Sequence, residues 1–151
     1  MDKEPKTTAN EISISTVDSA DEYFDQIAII YQGIQNLFSS EKPFTNPDLS
    51  IATLVELLHT NQNYISRAIN EYSGMNFYHF LNKYRTGEAR RLIEENRNYG
   101  LSLEKIMHKS GFRSRSVFIG AFKKFTGMTP GQFLKFSKEN RMGLQRSMPV
   151  S

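Results

Sequence analysis

The sequence predicts an all-α protein of about seven helices: two helix-turn-helix subdomains joined by a long linker helix, with an N-terminal amphipathic helix before them. Three observations predict it. Apolar residues recur every three or four positions through most of the chain. A stretch starting at Leu49 is repeated from Leu101, at an offset of 52 residues at first and 53 later. The periodic stretches are bounded by residues that start and stop helices, with Ser, Asn or Thr before them and Gly behind.

Taken in order, residues 1–18 are polar, aperiodic and contain Pro5, which predicts a disordered tail or linker. Residues 19–40 predict an amphipathic helix. Ser19 can cap it, Asp21 and Glu22 suit its first turn, and Tyr23, Ile27, Ile30, Ile34 and Leu37 form one stripe. That stripe fits two uses, packing on the rest of the domain or pairing with a second copy into a homodimer through the Tyr23–Leu37 helix. Residues 41–139 form the main domain. Its first unit, 49–75, has a helix from Ser50 to Leu58, a turn at His59 to Asn61, and a second helix from Gln62 to Tyr72 that sets Ile65, Ile69 and Tyr72 inward before Gly74 stops it.

Residues 76–98 read as one long helix with Phe77, Phe80, Leu81, Tyr84, Ala89, Leu92 and Ile93 as contacts; Gly87 inside it is a candidate hinge. This rod would set the distance between the two units. The second unit, 101–128, repeats the layout with a helix from Ser102 to Ser110, Gly111 and Phe112 in the turn, and a helix opening at Ser114 that buries Val117, Phe118, Ala121, Phe122 and Phe125. A final helix, 129–139, opens with Thr129, Pro130 and Gln132, the signature of a capping box with proline at the first position. Residues 140–151 are expected to be a flexible tail.

Composition narrows the function. Hydrophobic residues at 38% and charged residues at 23% match an ordinary globular domain, and the stretch before Ser19 has no apolar core of a secretory leader. No run of eighteen apolar residues occurs, so no membrane contact by this chain is expected. With no cysteine, thiolate zinc sites and cysteine nucleophiles are excluded, and the expected compartment is the cytoplasm; a longer parent protein could still be membrane-anchored. The net charge of +3 conceals a division. Residues 1–48 hold three Lys and nine acidic residues, whereas residues 49–151 hold sixteen Lys or Arg and seven Glu. Only the second part is polyanion-seeking.

The outer face of the second helix in the first unit carries Gln62, Asn63, Ser66, Arg67 and Asn70. Amides and guanidinium are the groups that match base edges in a major groove, Arg bidentate to guanine and Asn or Gln to adenine. The equivalent face of the second unit carries Arg115, Ser116, Ile119, Gly120 and Lys123, a poorer set in which Ile119 can touch a thymine methyl. Either face could instead be an ordinary solvated surface. The amide end of the last helix, at Thr129, suits a phosphate.

From about Glu41 to Lys138 the chain resembles the DNA-binding domain of the AraC/XylS transcription regulators. The resemblance is carried by EKPFTNPDLS, NYISRAINEYSGMNFYHFLNKYR, EARRLI and, above all, GFRSRSVFIGAFKKFTGMTPGQF. It implies two units that address successive major-groove segments of one promoter, with transcription regulated, usually activated, through contact with RNA polymerase. Carried over by position, Gln62, Asn63, Ser66, Arg67 and Asn70, then Arg115, Ser116, Ile119, Gly120 and Lys123, would read bases, and Arg113, Ser114 and Lys124 would meet phosphates. The chain departs from the family at Val55, Met107 and Ser110, at His59 where a Gly is usual, and at Gly120 where a polar or basic residue is usual. Discrimination is therefore expected to lean on the first unit. The first unit's style is similar to domains at the C-termini of large sensor proteins, so the chain is expected to be the output end of a longer protein.

An enzyme is the first competing reading. No phosphate loop, metal-spaced histidine pair or nucleophile elbow occurs, and His59, His79 and His108 stand apart from carboxylates in sequence, so neither cofactor nor metal is expected. The second is a degenerate helix-turn-helix module acting through protein–protein contacts, which Ile119, Gly120 and the acidic N-terminal part motivate.

Overall fold

A computed structural model describes residues 4–96 and 100–147. Seven α-helices follow one another: α1 (Glu4–Ser40), α2 (Ile51–Leu58), α3 (Gln62–Ser73), α4 (Phe77–Glu95), α5 (Leu103–Lys109), α6 (Arg115–Thr126) and α7 (Pro130–Ser147), with a 3-10 turn at Pro43–Thr45. The described residues contain no strand.

The boundaries follow from side chains that compete with or complete the helical ladder. Ser50, Asn61, Asn76, Ser102 and Ser114 each precede a helix and accept a backbone N–H from its first turn, at 3.3, 3.0, 2.9, 3.2 and 3.4 Å respectively. At the far ends of α3 and α6 the left-handed residues are Gly74 (φ 71°) and Gly127 (φ 84°), whose N–H groups return to Asn70 and Lys123. The same office at the end of α2 falls to His59, at φ 52° and ψ 49°.

Two cores result. The first joins Ile27, Ile30, Ile34 and Phe38 of α1 to Phe44, Leu49, Leu54, Ile65, Ala68, Ile69, Phe80 and Leu81. The second joins Ala89 and Ile93 of α4 to Ile106, Met107, Phe112, Phe118, Ala121, Phe122 and Phe133. Thus α4 serves both, its first half in one and its second half in the other. Between them it carries a buried polar band of Asn82, Arg85 and Thr86, in which Asn82 Oδ1 and Thr86 Oγ1 have no protein partner among the described residues.

Four expectations are corrected. The expected tail over residues 1–18 is helical from Glu4, because Pro5 falls in the first turn, where no backbone N–H is needed, and no later residue breaks the run; residues 1–3 lie outside the described residues. The expected tail over 140–151 is helical to Ser147, its Arg, Met, Leu and Gln supporting the helix and its next proline arriving only at Pro149. Arg141 ties this extension to the end of α4, donating to the carbonyls of Asn96 at 3.2 Å and Ile93 at 3.4 Å; residues 148–151 lie outside the described residues. The linker helix, expected to Asn98, ends at Glu95, where the Asn96 amide turns to Leu101 in a reciprocal pair at 3.0 and 3.3 Å; residues 97–99 are again outside. Finally, Tyr72 is half exposed rather than inward, its ring stacked on Tyr31 at 5.0 Å.

The N-terminal stripe takes the first of its two uses. Ile27, Ile30 and Ile34 are buried against the chain's own first unit.

Candidate nucleic-acid interface

Each candidate reading face is the outer side of a helix whose inner side is locked. In α3, Ile65, Ala68 and Ile69 are wholly buried, which at 3.6 residues per turn sends Asn63, Ser66, Arg67 and Asn70 outward and puts Gln62 at the edge. Gln62, Asn63, Arg67 and Asn70 are exposed and Ser66 is half-buried. Among the described residues, the amides of Gln62, Asn63 and Asn70 make no hydrogen bond within the protein, so their donors and acceptors face outward unspent. Arg67 is different, because its guanidinium lies 3.8 Å from Glu71 one turn on, an exposed pair of little strength that a guanine edge can displace.

In α6, Phe118 and Phe122 anchor the inner side, and Arg115, Ser116, Ile119, Gly120, Lys123 and Lys124 are exposed. Ile119 is 40% exposed, beside a hollow of about 370 Å³ lined by Leu103, Met107, Phe118 and Pro130. The other edge of α6, at Gly120 and Lys124, borders a cleft of about 220 Å³ whose far wall is Tyr78, His79 and Asn82 at the start of α4. Since α4 begins three residues after Gly74, this cleft brings the second face close to the end of α3.

The phosphate candidates are unequal. Arg113 is paired with Asp48, both about two-thirds exposed, so its charge is partly answered within the protein. Ser114 is exposed but its hydroxyl already caps α6. The ammonium of Lys124 lies 5.6 Å from the centre of the Phe125 ring and stays open to solvent. Thr129 and Gln132 close the capping box at both ends, Thr129 N–H to Gln132 Oε1 at 2.9 Å and Gln132 N–H to Thr129 Oγ1 at 3.2 Å. The Thr129 side chain is therefore a half-buried structural cap.

Sequence reasoning missed Glu71 and Asp48, the acids that answer Arg67 and Arg113. It also missed Arg85, which is buried and donates to the carbonyls of Phe44 and Asn46. A signal was present: Arg85 sits one helical turn from both Leu81 and Ala89, on the apolar stripe itself. Burial first, then repulsion from Arg113, lowers its pKa, with Tyr78 working the other way. A guanidinium remains charged under such a shift.

Comparison with known proteins places these features. A family model described as a helix-turn-helix domain matches residues 54–135, just over half of the chain. A helix-turn-helix-type transcriptional regulator of Bacillus subtilis is 28% identical over 86 residues, which is 57% of this chain and 11% of that protein. The chain spans well under half the length of the curated relatives it matches. Among solved structures, the C-terminal domain of AraT, a response regulator from Geobacillus stearothermophilus, aligns with a TM-score of 0.57 at 29% identity, covering 74% of this chain and 84% of that one. The DNA-binding domain of AdpA, solved with a target DNA, shares the fold with a TM-score of 0.61 at 18% identity, over 76% of this chain and 95% of its own.

Proposed function

The chain belongs to the AraC/XylS family, as its C-terminal helix-turn-helix domain, a DNA-binding regulator of transcription, and on that premise we propose that α3 and α6 read two successive major-groove segments of one promoter site. The observation that carries this reading is the set of unspent amides on α3, held outward by a wholly buried inner side. Gln62, Asn63, Ser66, Arg67 and Asn70 supply most of the discrimination. Arg115, Ser116, Ile119, Gly120 and Lys123 supply a thymine contact and charge, with Lys124 and Arg113 on the backbone. The domain acts as the output end of a longer sensor protein, with α1 as the element through which a preceding segment reaches the first core.

Selection of bound duplexes from a random pool tests the reading and yields the site. Binding of the selected duplex should fall as salt rises, with a log–log slope of about −0.9 per phosphate neutralised. No duplex bound at low salt would refute it.

One observation favours a second contact. Ile119 and the hollow of about 370 Å³ beside it are apolar, which suits a protein surface such as RNA polymerase better than a phosphate backbone. Ile119→Ser would then lower activated transcription by more than its loss of duplex affinity accounts for, the two read side by side on the selected site. A homodimer through the Tyr23–Leu37 helix would have to use its outer side, where Phe24 and Ile29 are exposed, since the inner stripe is occupied.

A further inference from the structure

We infer that Arg85 fixes the pose of the two reading units relative to each other, and so sets the spacing between the two DNA segments that the protein accepts. This rests on the two-segment reading above. The residue lies on α4 where the first core gives way to the second, and it is only 8% exposed. Its Nε donates to the carbonyl of Phe44 at 2.7 Å and its Nη2 to the carbonyl of Asn46 at 2.9 Å, both in the loop that enters the first unit.

The turn of the second unit comes to the same place. Gly111, at φ 98°, lies so close that a Cβ there would stand 2.2 Å from the Phe44 carbonyl oxygen, 2.8 Å from Arg85 Nε and 3.0 Å from Thr45 Cα. Just outside, Arg113 of the second unit pairs with Asp48 at the end of the loop that enters the first. Loop, strut and turn therefore meet at one guanidinium. Without this junction the second unit would be joined to the first through α4 alone, and any twist of α4 would swing α6 against α3.

Why arginine is required follows from the fork. Two carbonyls two residues apart are met by two N–H groups of one planar cation, which an ammonium cannot reproduce in the same geometry. Arg85 is thus a positioning residue, acting on DNA through the units that it orients.

The test uses the whole chain and the two boxes recovered by selection, at their native separation and with one base pair added or removed. One added pair turns the second box by about a tenth of a helical turn and shifts it by about 3.4 Å. Wild type should lose about ten- to a hundredfold in affinity, the equivalent of losing one base contact. Arg85→Lys, Arg85→Met and Arg85→Gln should bind the native duplex less tightly and show a ratio between native and altered spacings reduced to a few-fold. Binding to the first box alone should not change. Circular dichroism and a single cooperative melt identify the variants that fold, and Arg85→Gln, whose amide keeps a donor for one of the two carbonyls, carries the test should the other two fail to do so. Folded variants that keep the full wild-type ratio would overturn the inference and leave Arg85 a local brace for the loop. A wild type that binds no duplex would instead overturn the reading on which it rests.

Discussion

Replacing His59 by Gly should stabilise the protein, against the usual run of substitutions. His59 ends α2 in the left-handed region, at φ 52° and ψ 49°, where an L side chain costs about 1–2 kcal/mol. Nothing visible repays that cost. The ring is exposed and, among the described residues, makes no hydrogen bond or ion pair, while the cap itself runs from the backbone N–H to the Val55 carbonyl and would survive in Gly. Glycine returns part of the gain, about 0.4–1 kcal/mol, through the greater freedom of its unfolded chain. The net is about 0.5–1 kcal/mol, which for a chain of this length raises the midpoint of thermal unfolding by about 2 °C. Far-UV circular dichroism of matched samples checks it, and duplex affinity should not move, since His59 is off both reading faces. A midpoint that stays level or falls would show that the imidazole makes a contribution the geometry does not reveal, and the argument from backbone strain would be wrong.

The converse holds at Gly74, where a Cβ would meet nothing within 4 Å, so Gly74→Ala should cost about 1 kcal/mol from backbone strain alone, read by urea denaturation. Ile34→Ala, in the wholly buried stripe of α1, should cost about 2–5 kcal/mol, and a loss under about 0.5 kcal/mol would show that α1 is not part of the first core. The Arg91 guanidinium, helped by Lys42 at 3.0 Å, holds the Glu88 carboxyl below its usual range despite the opposing effect of burial. Its stabilising effect is therefore complete above the ordinary glutamate value of 4.5 and is lost as pH falls through the lowered one, so Glu88→Gln should flatten the acid limb of a pH–stability profile; an unchanged limb would count against the pairing. Arg67→Ala should cost about 1–3 kcal/mol on the selected duplex and relax specificity, whereas Lys124→Ala should weaken all duplexes alike, both read by titration against specific and random DNA.

Local signals in the sequence carried most of the fold. The helical periodicity, the polar residues at the helix starts and the glycines behind α3 and α6 all act within a few residues of themselves, which is why they could be read without coordinates, and the repeat let each unit support the reading of the other. What escaped depends on distance or on company. Pro5 looked like a breaker because its place within a turn is known only once the helix start is known. The helix extension to Ser147 is stabilised by Arg141 reaching Asn96 and Ile93, forty-five and more residues away. Arg85, similarly, finds its partners some forty residues back, so in sequence it reads as one more charge on a basic helix. The candidate reading residues were legible as an outward set from periodicity alone, but Glu71 beside Arg67 and Asp48 beside Arg113 were not, because one-dimensional charge counting does not say which acid faces which base.

Among the described residues the two interiors share no buried side chain, and a band of polar groups on α4 separates them. A substitution confined to one interior therefore removes no side-chain contact of the other, and loosening can reach the far unit only through α4 and the junction at Arg85.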